Sequence, residues 1–519
     1  MIGFWRRSFE GLSRAATSRA GFLVLSSLWL FVPYFILNSG QHRLLVRGMA
    51  VLFVLLAVLL GMASRGIYVL FGLAILLLNA VYVHLKYHWG LELSESRFEA
   101  AFSGEFSETL EYCRIYFGSP EIVFFLYGIA ALYLIYRTCR SPGFSRRARI
   151  VAGLLLLPLL ALLFFVRGPA MHFPPVFLVK DVFEAKSRLG QIAERAAIVR
   201  AVQSQPRACP EGYEKIVIVI GESALRDRMS LYGYPLETTP FLDSLRPYRF
   251  DGLAGANQTR YAVPLLLTHA SVGDFQEFFS TPSLVSELKA CGYETWWISN
   301  QGGPGIGETY VESIADEADH QRFMSSLDYV RIGYDGKIVD TLGRYLTGDT
   351  RKQAFFLHLR GSHFDYQERY PSDFALKPGV DVVSQYDNTI YYTDHILSEI
   401  FGRLDSATVN MSDGRGLLFA YASDHGEVVS DTLHGHGFFP GFKEEYRIPM
   451  IFWTRRPRGD SLQAGAEGRT VNEESFAGMI EYLTGMKDHP DLSFSSEVIS
   501  LAPENIQDYN RLKSAFSQP

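Results

Sequence analysis

Carboxylate and imidazole side chains follow two apolar runs of the sequence, at the points where these runs end. Lys215 to Gly221 (KIVIVIG) leads to Glu222, and Leu417 to Ala422 (LLFAYA) leads to Asp424 and His425. Carboxylates and imidazoles are ligands that zinc accepts in proteins. A cation held with one open position can activate an oxygen nucleophile. These residues therefore predict a metal site, provided that the fold brings the two run ends together.

Two further runs end in polar residues of a similar kind. Thr295 to Ile298 (TWWI) leads to Asn300 and Gln301, and Phe355 to Leu359 (FFLHL) leads to His363. Such short β-rich runs alternate with helical patterns, which indicates a mostly parallel sheet covered by helices on both faces. Ligands bind outside the carboxyl ends of the strands in these sheets, so we expect the four ends to converge. Taken singly, each polar residue is better explained as a cap of the following helix.

The N-terminal third of the chain carries the elements that would anchor this domain. Apolar runs near the ~20 residues needed to span a bilayer as helix occur at 21–38, 45–63, 66–86, 121–136 and 149–167. Arginines crowd the N-terminus and the connection around Arg140, whereas glutamates fill the loop before the fourth run. This asymmetry predicts a cytoplasmic N-terminus and a C-terminal domain on the other side of the membrane.

Length, charge and cysteine content bound the remaining possibilities. The 519 residues exceed the usual size of one domain, and the patterns predict a five-helix transmembrane domain at 1–167, an interfacial helix and linker at 168–210, and a catalytic domain at 211–519. The net charge of −6 argues against nucleic acid as a partner. The four cysteines include no CxxC pair, so thiol chemistry is not indicated.

Four ordered motifs resemble those of bacterial phosphoethanolamine transferases, which belong to the alkaline phosphatase and sulfatase superfamily. They are IVIVIGESALRDRMSLYGYPLETTPFLDSL (216–245), HLRGSHFDYQERYP (358–371), YDNTIYYTDHIL (386–397) and YASDHGEVVSDTLHGHG (421–437). Their common order is specific, whereas a lone SDHG would not be. The segment TWWISNQGGPGIGETY (295–310) is more similar to the branch acting on lipopolysaccharide core or periplasmic glucans than to the lipid A branch.

The resemblance implies roles for particular residues. Glu222, Asp424 and His425 match the family's zinc ligands, and Thr259 in NQTRYAVP matches the nucleophile that completes the zinc sphere. The residues implied to contact the substrate are His363, His434, Asn300, Gln301 and Glu108. A helix beginning after Pro264 would place Thr259 near a helix N-terminus, which favours an anion.

Some neighbouring residues compete for these roles or depart from the family pattern. Thr268 and Ser223 are the rival nucleophiles. His436 is either an additional phosphate or metal contact or, in the favoured interpretation, an exposed loop residue. Lipid A-modifying members usually place cysteines on either side of the nucleophile segment, where this chain has Gly255 and Leu265. A bridge between cysteines 209 and 291 is left open as an alternative in an oxidising compartment.

The implied reaction transfers phosphoethanolamine from phosphatidylethanolamine to an envelope glycan or lipopolysaccharide through a phosphothreonine. It would use one zinc ion, or two, in preference to manganese or magnesium, in a multi-pass protein of the bacterial inner membrane whose catalytic domain is periplasmic. A phosphoglycerol transferase of the lipoteichoic acid synthase type and a sulfatase-fold hydrolase are the alternatives. A true sulfatase would need a Cys- or Ser-x-Pro-x-Arg segment, and a transporter would need ionisable residues within its spans.

Overall fold

The computed structural model describes residues 19–37, 43–89, 119–165 apart from 142, residue 173, and most of 190–516. The longest gaps in the last stretch are 303–308, 326–332, 409–415 and 456–468. The described residues fall into two compact units, with residues up to 173 in the first and those from 190 onward in the second. Each unit is described separately below.

The first unit contains five apolar helices, one for each predicted run. They are α1 (Arg19–Ile36), α2 (Arg43–Ala63), α3 (Arg65–Trp89), α4 (Ser119–Arg140) and α5 (Arg146–Phe165). Among the described residues, Leu44–Ala63 and Ile122–Arg140 are long and apolar enough to cross a membrane. The apolar segments Ala20–Ile36 and Arg65–Ala80 are shorter. Length and composition therefore single out two candidate spans, where the sequence predicts five.

Buried polar side chains join the helices of the first unit. Tyr34 on α1 donates to Asn79 on α3 at 2.5 Å, and Asn79 donates in turn to the carbonyl of Leu30 at 2.6 Å. Ser26 on α1 lies 2.5 Å from the hydroxyl of Tyr68 on α3. Hydrogen bonds of this kind fix which faces of apolar helices meet, because apolar packing alone does not select one orientation.

The second unit alternates strands and helices along the chain. Its strands are β1 (Tyr213–Gly221), β2 (Tyr248–Leu253), β3 (Glu294–Gly302), β4 (His320–Ser325), β5 (Gln353–His358), β6 (Gly416–Ser423), β7 (Val428–Val429), β8 (His434–Gly435), β9 (Arg447–Thr454), β10 (Thr470–Asn472), β11 (Glu497–Ile499) and β12 (Ile506–Asp508). Its described α-helices are α6 (190–203), α7 (Pro240–Leu245), α8 (Thr259–Leu267), α9 (Leu284–Ala290), α10 (Thr309–Ala315), α11 (Gly336–Tyr345), α12 (Val382–Thr408) and α13 (Ser475–Leu483).

Eight strands form one sheet in the order β10-β2-β9-β6-β1-β5-β3-β4. Strand β9 runs antiparallel to β2 and β6, and the other pairings in this sheet are parallel. The central strand β1 is buried along its length. Its Ile216 and Ile218 face one core, and Val217 and Val219 face the other. The predicted α/β fold with a mostly parallel sheet is therefore confirmed.

Helix α6 and the segment after it contact the rest of the second unit through buried polar groups and a disulfide. Arg195 is almost fully buried, and its guanidinium lies 2.6 Å from the carboxylate of Glu317. Arg195 also donates to the carbonyl of Phe278 at 2.8 Å. Cys209 and Cys291 form a disulfide, so the bridge that the sequence leaves open is present.

Candidate active site

The ends of the two central strands bring the predicted metal ligands together. Strands β1 and β6 pair in parallel, with Gly221 opposite Ser423, so Glu222 and Asp424 follow at the same edge of the sheet. The backbone N–H of Ser223 donates to Asp424 Oδ1 at 3.1 Å. The two strand ends are thus locked by a hydrogen bond as well as by the strand register.

Glu222, Asp424 and His425 form a compact, fully buried cluster. His425 Nε2 lies 3.5 Å from Glu222 Oε1 and 3.4 Å from Asp424 Oδ2. One ligand atom from each of the three residues lies within 4.8 Å of the others. Asp424 Oδ2 is buried and accepts no hydrogen bond from the described residues. Because a buried carboxylate needs a compensating charge or donor, this donor set fits a divalent cation.

The protonation state of His425 also suits binding of a divalent cation. Its Nδ1 lies 2.9 Å from the carbonyl of Gly426, which assigns the ring proton to Nδ1 and leaves a lone pair on Nε2. Burial lowers the pKa of His425, although Asp424 opposes this shift. The neutral imidazole therefore presents a ligand atom toward the two carboxylates.

Thr259 stands beside this cluster as the first residue of α8. Its Oγ1 donates to Glu222 Oε2 at 3.0 Å and lies 3.3 Å from His425 Nε2. The predicted helix start after Pro264 is wrong, because α8 begins at Thr259 and contains Pro264 within it. Thr259 consequently lies at the helix N-terminus itself.

The two rival nucleophiles are engaged elsewhere. Thr268 ends α8 at the opposite side from Thr259, and its hydroxyl donates to the carbonyl of Pro264 at 2.7 Å. Ser223 has a positive φ of 57°, and its hydroxyl donates to Glu222 Oε1 at 2.7 Å. Ser223 therefore supports the glutamate, while Thr259 is the hydroxyl that faces both Glu222 and His425.

Two further histidines lie next to the carboxylates. Glu222, His363 and His436 can bring one ligand atom each within 4.8 Å, and so can His425, Glu427 and His436. His363 Nδ1 is buried and has no hydrogen-bond partner among the described residues. Burial lowers the pKa of His363, and His436 lowers it further. The site therefore extends from the cation ligands to an imidazole pair.

His436 is fixed by a carboxylate behind it. Its Nδ1 lies 2.8 Å from Glu427 Oε2, and Glu427 Oε1 accepts from the hydroxyl of Tyr366 at 2.7 Å. Burial opposes protonation of His436, but attraction to Glu427 and their hydrogen bond raise its pKa overall. The sequence signal for this pair was the spacing from SDHGE to HGHG, which was interpreted as an exposed loop.

His434 is not among the described residues that could share a metal ion at the cluster, and its contact with the substrate stays a prediction. It lies in β8, which pairs with β7 in a two-stranded ribbon, and its side chain is exposed. The ring centroid of His434 is 6.2 Å from that of Tyr366. Gly435 follows with a φ of 115°, which turns the chain so that His436 points inward instead.

The loop that carries His363 is held by a buried aspartate. Asp335 accepts from the backbone N–H groups of Arg360 and Gly361, both at 2.9 Å. Asn300 donates to the same carboxylate at 2.8 Å, so it supports this loop, and its contact with the substrate head group stays a prediction. Gly361 has a φ of 51°, and a Cβ here would lie 2.7 Å from the carbonyl oxygen of Glu222. Only glycine allows the loop to approach so closely.

Gln301 and Glu108 complete the predicted set. Gln301 donates to Glu222 Oε2 at 3.1 Å and to the carbonyl of Leu359 at 2.9 Å, so it lies at the cluster. Both Asn300 and Gln301 belong to β3, which extends to Gly302, beyond the predicted strand. Glu108 lies outside the described residues.

Comparison with known proteins identifies the fold that carries this arrangement. A family model described as Sulfatase matches residues 214–463. The phosphoethanolamine transferase EptC of Escherichia coli is 31% identical over 273 residues, which cover 46% of this chain. The matched chain spans only 44% of that relative's length.

Two solved structures show the same fold. The C-terminal periplasmic domain of EptC from Escherichia coli, in complex with Zn, has a TM-score of 0.51 at 24% identity, covering 59% of this chain and 97% of that one. The integral membrane lipooligosaccharide phosphoethanolamine transferase A from Neisseria meningitidis has a TM-score of 0.62 at 17% identity, covering 90% and 95%. Residues 214–463 therefore match the Sulfatase family model, and the relatives that the chain resembles include named phosphoethanolamine transferases.

Proposed function

We propose that the chain transfers phosphoethanolamine from phosphatidylethanolamine to an envelope glycan or lipopolysaccharide, through a phosphorylated Thr259. The observation that carries this proposal is the Thr259 hydroxyl, placed between Glu222 Oε2 at 3.0 Å and His425 Nε2 at 3.3 Å. The names of the relatives, including EptC, agree with it. A threonine needs activation of this kind, because its hydroxyl is a weak nucleophile at neutral pH.

Glu222, Asp424 and His425 would hold one zinc ion, with Thr259 as the fourth ligand. This assignment rests on the buried, unpaired Asp424 Oδ2 and on the Nε2 lone pair of His425. When bound, a zinc ion lowers the pKa of an oxygen ligand and favours its ionised form. His363 and His436, with Glu222, would suit a second ion or the phosphoryl oxygens.

The proposed reaction consists of two displacements at phosphorus. In the first, Thr259 Oγ1 forms a bond to phosphorus while the bond to the diacylglycerol oxygen breaks, and Glu222 is placed to receive the hydroxyl proton. His436, held by Glu427, is assigned to protonate the leaving oxygen. In the second displacement an acceptor hydroxyl forms a bond to phosphorus while the bond to Thr259 Oγ1 breaks; His436 takes up the acceptor proton, and Glu222 returns its proton to Thr259. The N-terminus of α8 favours the negative charge that develops near Thr259.

The five apolar helices are proposed to span the bacterial inner membrane and to place this site in the periplasm. The proposed divisions are a transmembrane domain at 1–167, a linker at 168–210 and the catalytic domain at 211–519. The Cys209–Cys291 disulfide supports an oxidising compartment for the catalytic domain. A membrane anchor also brings the site to its lipid donor, with Gln301 near the head group and Glu108 assigned to the ethanolamine.

Substitution of Thr259 tests the proposal directly. Thr259→Ala should abolish transfer, because it removes the only oxygen that can carry the group, while the cation keeps three ligands. Thr259→Ser should retain partial turnover because the hydroxyl remains. Incubating the wild-type chain with phosphatidylethanolamine but no acceptor should give a phosphoethanolamine adduct on Thr259, mapped by peptide mass spectrometry. An adduct on Thr268, or transfer by Thr259→Ala, would contradict the covalent role.

The same experiment separates the alternative chemistries. A phosphoglycerol adduct formed from phosphatidylglycerol would instead indicate a transferase of the lipoteichoic acid synthase type. Hydrolysis of a sulfate ester without an adduct would indicate a sulfatase-fold hydrolase. Mass spectrometry of envelope lipids and glycans, with and without the chain, then identifies the acceptor.

A further inference from the structure

The segment just before Thr259 is bound to a glutamate that the proposed mechanism does not use. Asn257, two residues before Thr259, donates through Nδ2 to Glu445 Oε1 at 2.9 Å. Both side chains are fully buried. Asn257 Oδ1 also accepts from the backbone N–H of Leu501 at 2.9 Å. The orientation of the Asn257 amide is therefore fixed from both sides.

The same glutamate holds the loop that follows His436. Glu445 Oε1 accepts from the backbone N–H of Phe438 at 2.9 Å, and Oε2 accepts from that of Phe442 at 2.6 Å. Asn257 Nδ2 donates to the carbonyl of Phe438 at 3.0 Å, which closes the network. Glu445 thus binds both the start of the Thr259 helix and the loop that follows His436.

Close packing of the two segments accompanies these bonds. Gly437 has a φ of 76°, and a Cβ at this position would lie 3.1 Å from Nε2 of Gln258. The loop therefore rests directly on the residue that precedes Thr259. A small shift of either segment would change the separation of the attacking hydroxyl from the imidazole of His436.

We propose that Asn257 and Glu445 are a positioning pair, which sets the nucleophile Thr259 against the histidine His436 on the facing loop. This inference rests on the proposed function and adds to it two residues that touch neither substrate nor cation. Catalysis of this type depends on placement, since a displacement of about 1 Å can cost about 10²-fold in rate. Loss of one partner also leaves buried donors without an acceptor.

The chain supplies a matched control in the neighbouring glutamate. Glu444 is as fully buried as Glu445 and lies in the same turn. Its carboxylate accepts from the hydroxyl of Ser514 and, at 2.9 Å, from the backbone N–H of Ala515. Glu444 therefore holds the C-terminal segment, so Glu444→Gln reports the cost of removing a buried carboxylate without moving the site.

The experiment compares Glu445→Gln, Asn257→Ala, their double variant and Glu444→Gln in the full-length chain. Transfer from phosphatidylethanolamine, zinc content and melting temperature are measured for each. We expect kcat to fall by about 10²-fold in Glu445→Gln and Asn257→Ala, with the donor KM and the zinc content nearly unchanged. Because the two residues act through one link, the double variant should lose no more than the more damaged single variant. Glu444→Gln should keep the wild-type kcat.

Each outcome decides the inference. A double variant whose loss is the product of the two single losses would show that the residues act separately and would overturn the pair. Equal losses of kcat in Glu444→Gln and Glu445→Gln would show a general effect of stability. A wild-type chain without transfer would refute the proposed function, whereas an active wild type with a fully active Glu445→Gln would refute only the positioning role.

Discussion

The two carboxylate oxygens of Asp424 lie in different environments in the candidate site. One of its oxygens accepts from the backbone N–H groups of Ser223 and His425, at 3.1 and 2.7 Å. The other is buried and accepts no hydrogen bond from the described residues. A buried carboxylate in this state is costly unless a cation or a proton neutralises it. The two oxygens thus have different tasks, one structural and one available for a ligand.

Substitution of Asp424 should therefore remove the metal. In Asp424→Ala the zinc content of the purified chain should fall from about one ion per chain to a small fraction of that, with loss of transfer, because the proposed four-ligand site loses a charged ligand. Elemental analysis measures this change. Asp394→Asn is a suitable control, since Asp394 is buried but accepts from the backbone N–H of Phe241 instead. Full zinc occupancy in Asp424→Ala would refute the assignment.

The two histidines of the HGHG sequence give a second test at the residue scale. His436→Ala should lower kcat by about 10²-fold, because it removes the proposed proton donor that Glu427 holds at 2.8 Å. His434→Ala should leave kcat within about twofold of the wild type, because the His434 side chain is exposed and is not among the described residues that could share a metal ion at the cluster. Steady-state kinetics of the two variants measure this difference. The reverse pattern would restore the role that the motif alone assigns to His434.

The sequence predicts which residues lie at the candidate site where strand register determines their position, but not where a loop conformation does. Glu222, Asp424 and His425 follow strands whose apolar runs are evident, so their convergence could be expected. His434 and His436 differ by two positions, and the choice between them depends on the positive φ of Gly435. A sequence motif does not specify that angle, because glycine adopts either sign of φ with similar ease.

At the scale of elements, the nucleophile segment is held without the flanking cysteines of the lipid A branch. A Cβ at Gly255 would lie 2.7 Å from Cδ1 of Leu265, so the two equivalent positions are in direct contact. The backbone N–H of Gly255 also donates to Glu473 at 2.6 Å. Packing and one buried hydrogen bond thus occupy the place where relatives would have a disulfide.

The elements themselves were predictable from periodicity, but their ends were not. The four predicted strands all lie in the central sheet, because buried parallel strands give continuous apolar runs. A helix start after Pro264 is wrong by more than one turn, because α8 begins at Thr259. A proline inside a helix removes one backbone hydrogen bond, but its presence alone does not locate the first turn.

An ion-pair cluster fastens the end of α8 to two other helices and makes their stability depend on pH. His269 lies 2.9 Å from Glu481 on α13 and 3.6 Å from Glu287 on α9. Hydrogen bonds to Glu287 and Glu481 raise the pKa of His269 to about 10. Because the unfolded chain has a histidine pKa of about 6.5, the folded chain binds more protons between these values. The contribution is complete below pH ~6.5 and is lost as the pH rises through about 10.

Substitution of His269 should therefore destabilise the chain mainly at lower pH. His269→Gln should lower the free energy of unfolding by about 1.5–3 kcal/mol near pH 6, the range for hydrogen bonds to charged groups. The difference from the wild type should shrink as the pH approaches about 10. Melting curves of both chains across this range measure it. A difference that stays constant with pH would contradict a charged His269, and His320→Gln, on a partly exposed histidine, is the control.

At the scale of the whole molecule, two kinds of observation bear on the membrane arrangement. The basic residues Arg137 and Arg140 occupy the last turn of α4, and Arg146 begins α5. Positive residues in short connections usually remain in the cytoplasm, so these charges support the proposed cytoplasmic location of this connection. A disulfide between Cys209 and Cys291 is typical of an oxidising compartment, which supports the proposed periplasmic location of the second unit. The sequence supplied the first observation, but only the fold could bring two cysteines 82 positions apart into contact.

These two observations predict the behaviour of reporter fusions made along the chain. A reporter active only in the cytoplasm should be silent when fused after Ala208, because the proposed topology has this residue in the periplasm. The same reporter fused after Arg140 should be active, because that residue lies in the basic connection between α4 and α5. A periplasmic alkaline phosphatase reporter should give the opposite pattern at both sites. Cytoplasmic activity after Ala208 would overturn the proposed topology and, with it, the periplasmic location of the site. The donor lipid would then have to come from the inner leaflet, and the disulfide would face a reducing compartment.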